Sequence, residues 1–292
     1  MPRRITLAAL VALVALFAAH AASAAQPKPP APKAPIDAEK PVLVFFGWSD
    51  QHVQTNGDDS HIMPMVEAMN RLPGKAYPPQ IGEVVEKPDF VLGCGDITEW
   101  PTHAAMRSYD RIITQELKFP AVDILGNHDE GGKVPSQTMK RWLIGRHGSL
   151  SHTFKKGEIT FLCVFAAYDE NLDNPAQPIA DEALGWIRAE LAKVPDGKPV
   201  VVAMHLCYDA ITNRDAVVDA FGDDNVILVL GGHYHQANVR HHRGVPFVQL
   251  PSPKSDRTDV SVIRIFRDRV EVLVRDYRAE RWRLAPGVSL VE

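Results

Sequence analysis

Five short apolar runs in the chain end alike, because each is followed within a few residues by aspartate, asparagine or histidine. The runs occupy residues 42–46, 90–92, 121–125, 200–203 and 226–230. Short apolar runs bounded by turn residues are typical of strands that are buried on both faces of a sheet. Helical patterns lie between them, at residues 62–70, 102–117, 137–144 and 181–193. Strands that alternate with helices predict βαβ units and an α/β fold.

Polar side chains gather where these strands end. They are Asp50, His52, Asp96, Asn127, His128, Asp129, His205, His233 and His235. In α/β folds ligands bind outside the carboxyl ends of the strands. Asp50 and His52 stand two residues apart, as do His233 and His235, so an extended backbone directs both side chains of a pair to one face. The sequence therefore predicts one polar rim to which five strands contribute.

The donor groups at this rim are those of a metal site that works on phosphate. Carboxylates, imidazoles and an amide oxygen suit ions such as Mn, Fe or Zn. The chain has only three cysteines, Cys94, Cys163 and Cys207, which disfavours a disulfide scaffold or a cysteine-ligated zinc site. Two ions about 3.5–4 Å apart clamp a phosphate and lower the pKa of a bridging water. The pattern predicts a hydrolytic site with two divalent or trivalent metal ions.

These residues resemble the motif blocks of a known family. The blocks are Asp50-x-His52, Gly95-Asp96, Gly126-Asn127-His128-Asp129, His205 and Gly232-His233-x-His235. All five occur in the order found in the calcineurin-like metallophosphoesterases, and they span residues 50–235. The resemblance implies an α/β fold in which two facing mixed β-sheets, flanked by α-helices, form a four-layer sandwich.

The resemblance also implies a role for each residue. One ion would be held by Asp50, His52 and His235, and the other by Asn127, His205 and His233, with Asp96 bridging the two. A hydroxide that bridges the ions would attack phosphorus. His128 would not bind metal; it would stabilise the phosphoryl oxygens or protonate the leaving alkoxide.

Two acidic residues near these blocks allow more than one interpretation. Glu99 stands three residues after Asp96, where several relatives have a carboxylate that orients the catalytic histidine, so Glu99 is a candidate to orient His128. The alternative is an exposed glutamate at the start of a helix. Asp129 either supports a metal ligand from outside the coordination sphere or forms the turn in which it lies.

Two other features also allow more than one interpretation. Arg240-His241-His242-Arg243 follows the last block and would either contact substrate phosphate or form a solvated turn. Cys94 and Cys207 each stand two residues from a proposed ligand and are expected to be small buried residues, with a disulfide as the alternative.

Two further regions bear on the fold. Residues 51–89, which begin beside Asp50, either cover one side of the cleft or form a structural crossover. Short strands at residues 247–250, 260–266 and 270–277 are expected at the edge of the second sheet, with a tight turn at Arg267-Asp268.

The amino terminus predicts export. Arg3 and Arg4 precede an uncharged run and the sequence Ala22-Ser23-Ala24, which is typical of a secretory signal at residues 1–24. The alternative is an uncleaved membrane anchor, but the apolar run at residues 5–19 is shorter than the roughly 20 residues that a spanning helix needs. Residues 25–40 are rich in Pro, Ala and Lys and are expected to form a linker, followed by one catalytic domain at residues 41–285. The mature chain is expected in the periplasm or outside the cell, without a transmembrane span.

Charge limits the range of partners. The 292 residues include 32 basic and 36 acidic side chains, and this balance predicts no extended nucleic-acid surface. A small phosphoester, either a monoester or a diester, is the expected substrate. The alternatives are a phosphodiesterase or nuclease that acts on nucleotides or lipid headgroups, and a non-catalytic metal-binding protein.

Overall fold

A computed structural model describes residues 40–131, 136–168, 175–254 and 258–283. The signal at residues 1–24 and nearly all of the linker lie outside these ranges. The described residues fall within one contact-defined unit, Glu39–Glu292. The domain limits of 41 and 285 stay a prediction.

The described residues contain twelve strands in two sheets. In chain order the strands are β1 (Leu43–Trp48), β2 (Val91–Cys94), β3 (Ala121–Ile124), β4 (His152–Lys156), β5 (Ile159–Cys163), β6 (Val200–Leu206), β7 (Val226–Gly232), β8 (Asn238–His242), β9 (Val245–Gln249), β10 (Asp259–Ile265), β11 (Val270–Asp276) and β12 (Arg281–Arg283). The first sheet has the order β12-β11-β10-β1-β2-β3 and the second β4-β5-β6-β7-β9-β8. All five predicted apolar runs are strands. β1, β2 and β3 pair in parallel, as do β6 and β7, so their carboxyl ends share one end of each sheet.

Helices cover the outer face of each sheet. In the described residues they are α1 (Met63–Arg71), α2 (His103–Arg111), α3 (Thr138–His147), α4 (Asp181–Leu191) and α5 (Arg214–Asp219). Apolar residues of α1, α2 and α3 pack on the first sheet, those of α4 and α5 on the second, and a third apolar cluster lies between the sheets. The four-layer sandwich is confirmed.

The predicted helix at 102–117 begins where expected. Thr102 caps α2, because its Oγ1 accepts a hydrogen bond from Ala105 N at 3.0 Å. Beyond Arg111 the chain continues as a π-helical turn, Ile112–Glu116.

The placement of the last strands corrects one prediction. β9 belongs to the second sheet, but β10 and β11 belong to the first, and β10 pairs with β1 in the interior of that sheet. β10 is buried along its whole length rather than on alternate residues, so it is not an edge strand. The tight turn is confirmed, because Phe266 N donates to Arg269 O across Arg267-Asp268.

The long segment between β1 and β2 is a crossover on the outer face of the first sheet. Arg264 of β10 is 2% exposed, and it reaches Glu86 at 2.9 Å and also pairs with Glu83. Tyr77 Oη donates to Glu86 Oε2 at 2.6 Å, and Trp282 Nε1 donates to Ala76 O at 2.9 Å. These contacts hold residues 76–86 against the sheet.

None of the described helices has the length and apolar character that a membrane crossing requires.

Candidate metal centre

The predicted ligands meet at one end of the sandwich, and both sheets contribute. Asp50 and His52 follow β1, Asp96 follows β2 and Asn127 follows β3. From the second sheet, His205 lies in β6, and His233 and His235 follow β7.

The first group consists of Asp50, His52 and His235. His235 Nε2 lies 3.4 Å from Asp50 Oδ1 and 3.2 Å from His52 Nε2. One donor atom from each residue falls within 4.8 Å of the others, and Asp50 and His52 are buried. These atoms could hold one ion.

The second group is built around the side-chain oxygen of Asn127. This Oδ1 lies 3.1 Å from His205 Nε2 and 3.2 Å from His233 Nδ1, and the two nitrogens are 3.3 Å apart. The other ring nitrogen of each histidine faces a carbonyl oxygen: His205 Nδ1 is 2.7 Å from Cys94 O, and His233 Nε2 is 3.1 Å from Pro175 O. A carbonyl only accepts, so these outer nitrogens carry the protons. When His205 is neutral, the inner nitrogens and the amide oxygen turn three lone pairs toward one point, an arrangement that fits a cation.

Asp96 lies between the two groups. Its Oδ2 is 3.2 Å from His205 Nε2 and 3.7 Å from His52 Nε2. Its Oδ1 accepts from His128 N at 2.9 Å. One carboxylate oxygen thus faces both groups, which fits a bridging ligand.

The charges at the site attract positive charge. Burial opposes ionisation of Asp50 and Asp96, yet the pKa of each lies below its usual value, because His235 hydrogen-bonds to Asp50 and His205 stabilises the charge of Asp96. Burial alone would lower the pKa of His205, but the adjacent Asp96 raises it to about 9. Burial, followed by the charge of His205, lowers the pKa of His233 to about 4. The carboxylates therefore favour a cation in the pocket, whether a proton or a metal ion.

The backbone is strained at most of the proposed ligands. Positive φ angles occur at Asp50 (54°), His52 (49°), Asp96 (53°), His233 (80°) and His235 (60°). The left-handed region is uncommon for residues other than glycine, although Asp, Asn and His tolerate it better than most. Such strain clusters at functional sites, where the surrounding structure maintains it.

Two motif glycines allow the ligand loops to approach each other. A Cβ atom at Gly126 would overlap the side chain and backbone of Asp96. A Cβ atom at Gly232 would overlap the side chains of Ser49 and Asp50. The glycines of the third and fifth blocks therefore make room for the aspartates of the first two.

His128 lies beside the first group with one nitrogen unoccupied by protein. Its Nδ1 is 2.8 Å from Glu99 O, so this nitrogen is the donor and Nε2 is left for other partners. The ring stacks on Trp100, with centroids 4.6 Å apart, and the edge contact with His52 has the same separation. These contacts fix the plane of the imidazole.

The Glu99 carboxylate lies within 4.8 Å of a His128 nitrogen, but the hydrogen bond to His128 is made by the main-chain carbonyl of Glu99. The carboxylate turns to the other histidine, with Oε2 3.0 Å from His52 Nδ1, and Lys254 Nζ donates to the same oxygen at 2.7 Å. The pKa of Glu99 is lowered to about 2 by its contact with His52 and, to a smaller extent, by Lys254, although burial opposes the shift. Lys254 has no motif of its own, so sequence reasoning missed it.

Asp129 forms hydrogen bonds within its own turn and with the loop that carries Asp96. Its carboxylate accepts hydrogen bonds from Gly126 N at 2.9 Å, Ile97 N at 3.0 Å and Thr98 N at 2.8 Å. Burial, reinforced by the charge of Asp96, raises its pKa to about 6. Asp129 thereby joins the loop that carries Asp96 to the turn that carries Asn127.

The basic cluster at 240–243 lies elsewhere. Most of it belongs to the edge strand β8, where His242 pairs with Asp215 at 2.7 Å and Arg243 with Asp219 at 2.5 Å. The cluster is mostly exposed and ends in the turn at Arg243-Gly244, as the solvated-turn interpretation predicted, and two of its side chains contact α5. Cys94, Cys163 and Cys207 are free and buried, as the packing interpretation predicted.

Comparison with known proteins gives matches in sequence and in fold. The sequence profile described as calcineurin-like phosphoesterase matches residues 49–237. A curated protein of Psychrobacter arcticus, "Probable cyclic nucleotide phosphodiesterase", is 26% identical over 187 residues, which cover 56% of this chain and 63% of that protein. The chain thus matches less than two thirds of the length of this relative.

Solved structures add a likeness of fold. GAP50, the anchor in the inner membrane complex of Plasmodium, superposes with a TM-score of 0.55 at 11% identity, covering 86% of this chain and 89% of that one. Phosphopantetheinyl hydrolase of Mycobacterium tuberculosis gives a TM-score of 0.46 at 15% identity, covering 75% of this chain and 92% of that one.

Proposed function

Because the chain belongs to the calcineurin-like phosphoesterase family, we propose that it is an enzyme that hydrolyses a phosphoester bond with two metal ions at this rim. The observation that carries the proposal is the second group. There, two imidazole nitrogens and an amide oxygen lie within 3.1–3.3 Å of each other, and the other nitrogen of each imidazole faces a carbonyl oxygen. Acceptor atoms in such contact repel one another unless a proton or a metal ion lies between them, and a metal ion can take the place of a proton on His205.

The side chains present suit the metals that this chemistry uses. Asp50, His52 and His235 would hold one ion, and Asn127, His205 and His233 the other, with Asp96 shared. Oxygen and imidazole donors without thiolates match Mn, Fe or Zn. When bound, such ions neutralise charge on the phosphoryl group and make a water nucleophilic near neutral pH.

His128 is placed to act on the leaving group. Its Nδ1 donates to Glu99 O, which leaves Nε2 as the nitrogen that would deliver a proton to the oxygen that departs when the P–O bond breaks. Stacking on Trp100 and the edge contact with His52 limit rotation of the ring. The imidazole thus needs little reorganisation to reach its partner.

The first experiment is reconstitution of metal-depleted protein with Mn, Zn, Fe or Mg, one at a time. Rates are measured on a chromogenic phosphomonoester and on the corresponding diester. We expect hydrolysis that depends on added metal, with two ions bound per chain. Protein that binds two ions but hydrolyses no phosphoester would support a non-catalytic metal-binding role and overturn the proposal.

A phosphodiester is the first specific substrate to test. The relative from Psychrobacter arcticus carries the name cyclic nucleotide phosphodiesterase, although the match covers only 63% of its length. Cyclic nucleotides, a glycerophosphodiester and single-stranded DNA, each at two salt concentrations, separate the candidates. Cleavage of DNA that falls steeply with salt would favour a nuclease.

We also propose export, on the strength of residues 1–24 alone. Expression of the full chain in a bacterium, followed by mass spectrometry of the product, tests this. A mature chain that begins at residue 25 in the periplasm or medium is expected; an intact chain retained in the membrane would favour the anchor.

A further inference from the structure

Residues 251–254 contact two of the loops that carry ligands. Ser49 N donates to Pro251 O at 3.1 Å, and Ser252 Oγ donates to Asp50 O at 2.7 Å. Lys254 N in turn donates to Ser252 Oγ at 2.9 Å. This segment follows β9 and lies beyond residues 49–237, the part of the chain that the family profile matches.

The side chain of Lys254 extends these contacts to a second loop. Its Nζ lies 2.7 Å from Glu99 Oε2, and the same oxygen lies 3.0 Å from His52 Nδ1. Lys254 is therefore connected through Ser252 to the loop after β1 and through its ammonium group to the loop after β2.

The orientation of His52 links these contacts to the metal site. His52 Nε2 faces Asp96 Oδ2 at 3.7 Å and His235 Nε2 at 3.2 Å, so this nitrogen is the one that turns its lone pair to an ion. The proton must then reside on Nδ1, and the Glu99 carboxylate is the charged group that faces this nitrogen, at 3.0 Å. A partner of this kind sets the tautomer and the angle of a metal-binding imidazole.

We propose that Lys254 is a positioning residue for the His52 ligand and acts through the Glu99 carboxylate. The proposal rests on the metal site of the proposed function. Glu99 has a flexible side chain that is 24% exposed, and Lys254 holds its carboxylate at the position that His52 requires.

Partial burial separates this pair from an ordinary surface ion pair. Lys193 and Glu190 lie 2.6 Å apart, but the Lys193 side chain is 67% exposed against 27% for Lys254. Exposed pairs contribute little to stability, because solvent screens them. Lys193→Met is therefore a matched control for Lys254→Met.

The test measures metal affinity as well as catalysis. Metal-depleted wild type, Lys254→Met, Lys254→Arg and Lys193→Met are titrated with Mn or Zn in competition with a chromogenic chelator. For Lys254→Met we expect one of the two ions to bind about 10-fold more weakly, the lower end of the 10- to 100-fold effect of such outer partners. Lys254→Arg keeps the charge and is expected to restore most of the affinity, and Lys193→Met to bind both ions as the wild type does. Thermal unfolding without metal shows whether each variant folds.

A double-mutant cycle tests the route of the effect. In a Glu99→Ala background, Lys254→Met is expected to cause no further loss of affinity, because Lys254 acts through Glu99. Independent losses in the two variants would overturn the proposal, as would wild-type affinity for both ions in Lys254→Met. A raised KM with unchanged metal affinity would make Lys254 a substrate contact instead. If the wild type binds two ions but hydrolyses no ester, the proposed function fails while the metal titrations still decide the role of Lys254.

Discussion

Asp123 is a buried acid whose ionisation should change the stability of the fold with pH. It lies in β3, fully buried, and its Oδ1 accepts from Tyr109 Oη at 2.6 Å. Arg146 Nη2 is 3.5 Å from the other carboxylate oxygen. Burial raises the pKa of Asp123 to about 6, although Arg146 and Tyr109 oppose the shift.

The size and sign of the effect follow from this shift. The unfolded pKa is about 3.9, so the difference of about 2 units corresponds to about 3 kcal/mol of stability. The folded chain binds the proton more tightly than the unfolded chain does. Stability should therefore fall as pH rises from about 4 to about 6, with the full loss present at pH 7.

The assay is urea unfolding of wild type and Asp123→Asn between pH 4 and 7.5, with a chelator in every sample. The variant cannot ionise at this position, so the free energy of unfolding of wild type minus that of the variant should fall by about 3 kcal/mol from pH 4 to pH 7. Asp223→Asn, which alters an exposed carboxylate, is the control variant. A difference for Asp123→Asn that is flat, or that rises with pH, would contradict the raised pKa of Asp123.

Four further outcomes are expected. His128→Ala should lose turnover by about 10²–10⁴-fold, since it removes a proton-transfer group, and should keep both ions in elemental analysis. Asp96→Asn should lose metal content as well as turnover, because one oxygen of Asp96 faces both groups. Gly126→Ala should lower metal content and cost about 1–3 kcal/mol in urea unfolding, because its Cβ overlaps Asp96, whereas Gly145→Ala, which has open space around it, should not. Burial lowers the pKa of His152 to about 4. In the same assay, the free energy of unfolding of wild type minus that of His152→Gln should therefore fall by about 3 kcal/mol as pH falls from 6.5 to 4.

The sequence predicted the strand ends well because the signal there is local. The apolar run before His233, for example, is followed at once by glycine and histidine, and the strand β7 ends at Gly232. Parallel pairing then brings the carboxyl ends together without any further information.

Contacts between residues far apart in the sequence could not be predicted from local sequence patterns. β10 pairs with β1, more than two hundred residues earlier in the chain, and only the fold determines that neighbour. The spacing of three between Asp96 and Glu99 predicted proximity to His128 but not which group of Glu99 would make the contact. The left-handed backbone of the ligands likewise depends on the surrounding loops, because residue type alone permits it without requiring it.

The origin of the ligands in two sheets has a consequence for how the protein depends on its surroundings. Each group takes side chains from both sheets, so any ion bound there acts as a reversible cross-link through the sandwich. An ion that binds only the folded chain adds about 2.7 kcal/mol of stability when its free concentration is a hundred times Kd. If the proposed ions bind, the melting temperature should rise with the free metal concentration, and removal of metal should weaken the contact between the two sheets as well as the proposed activity.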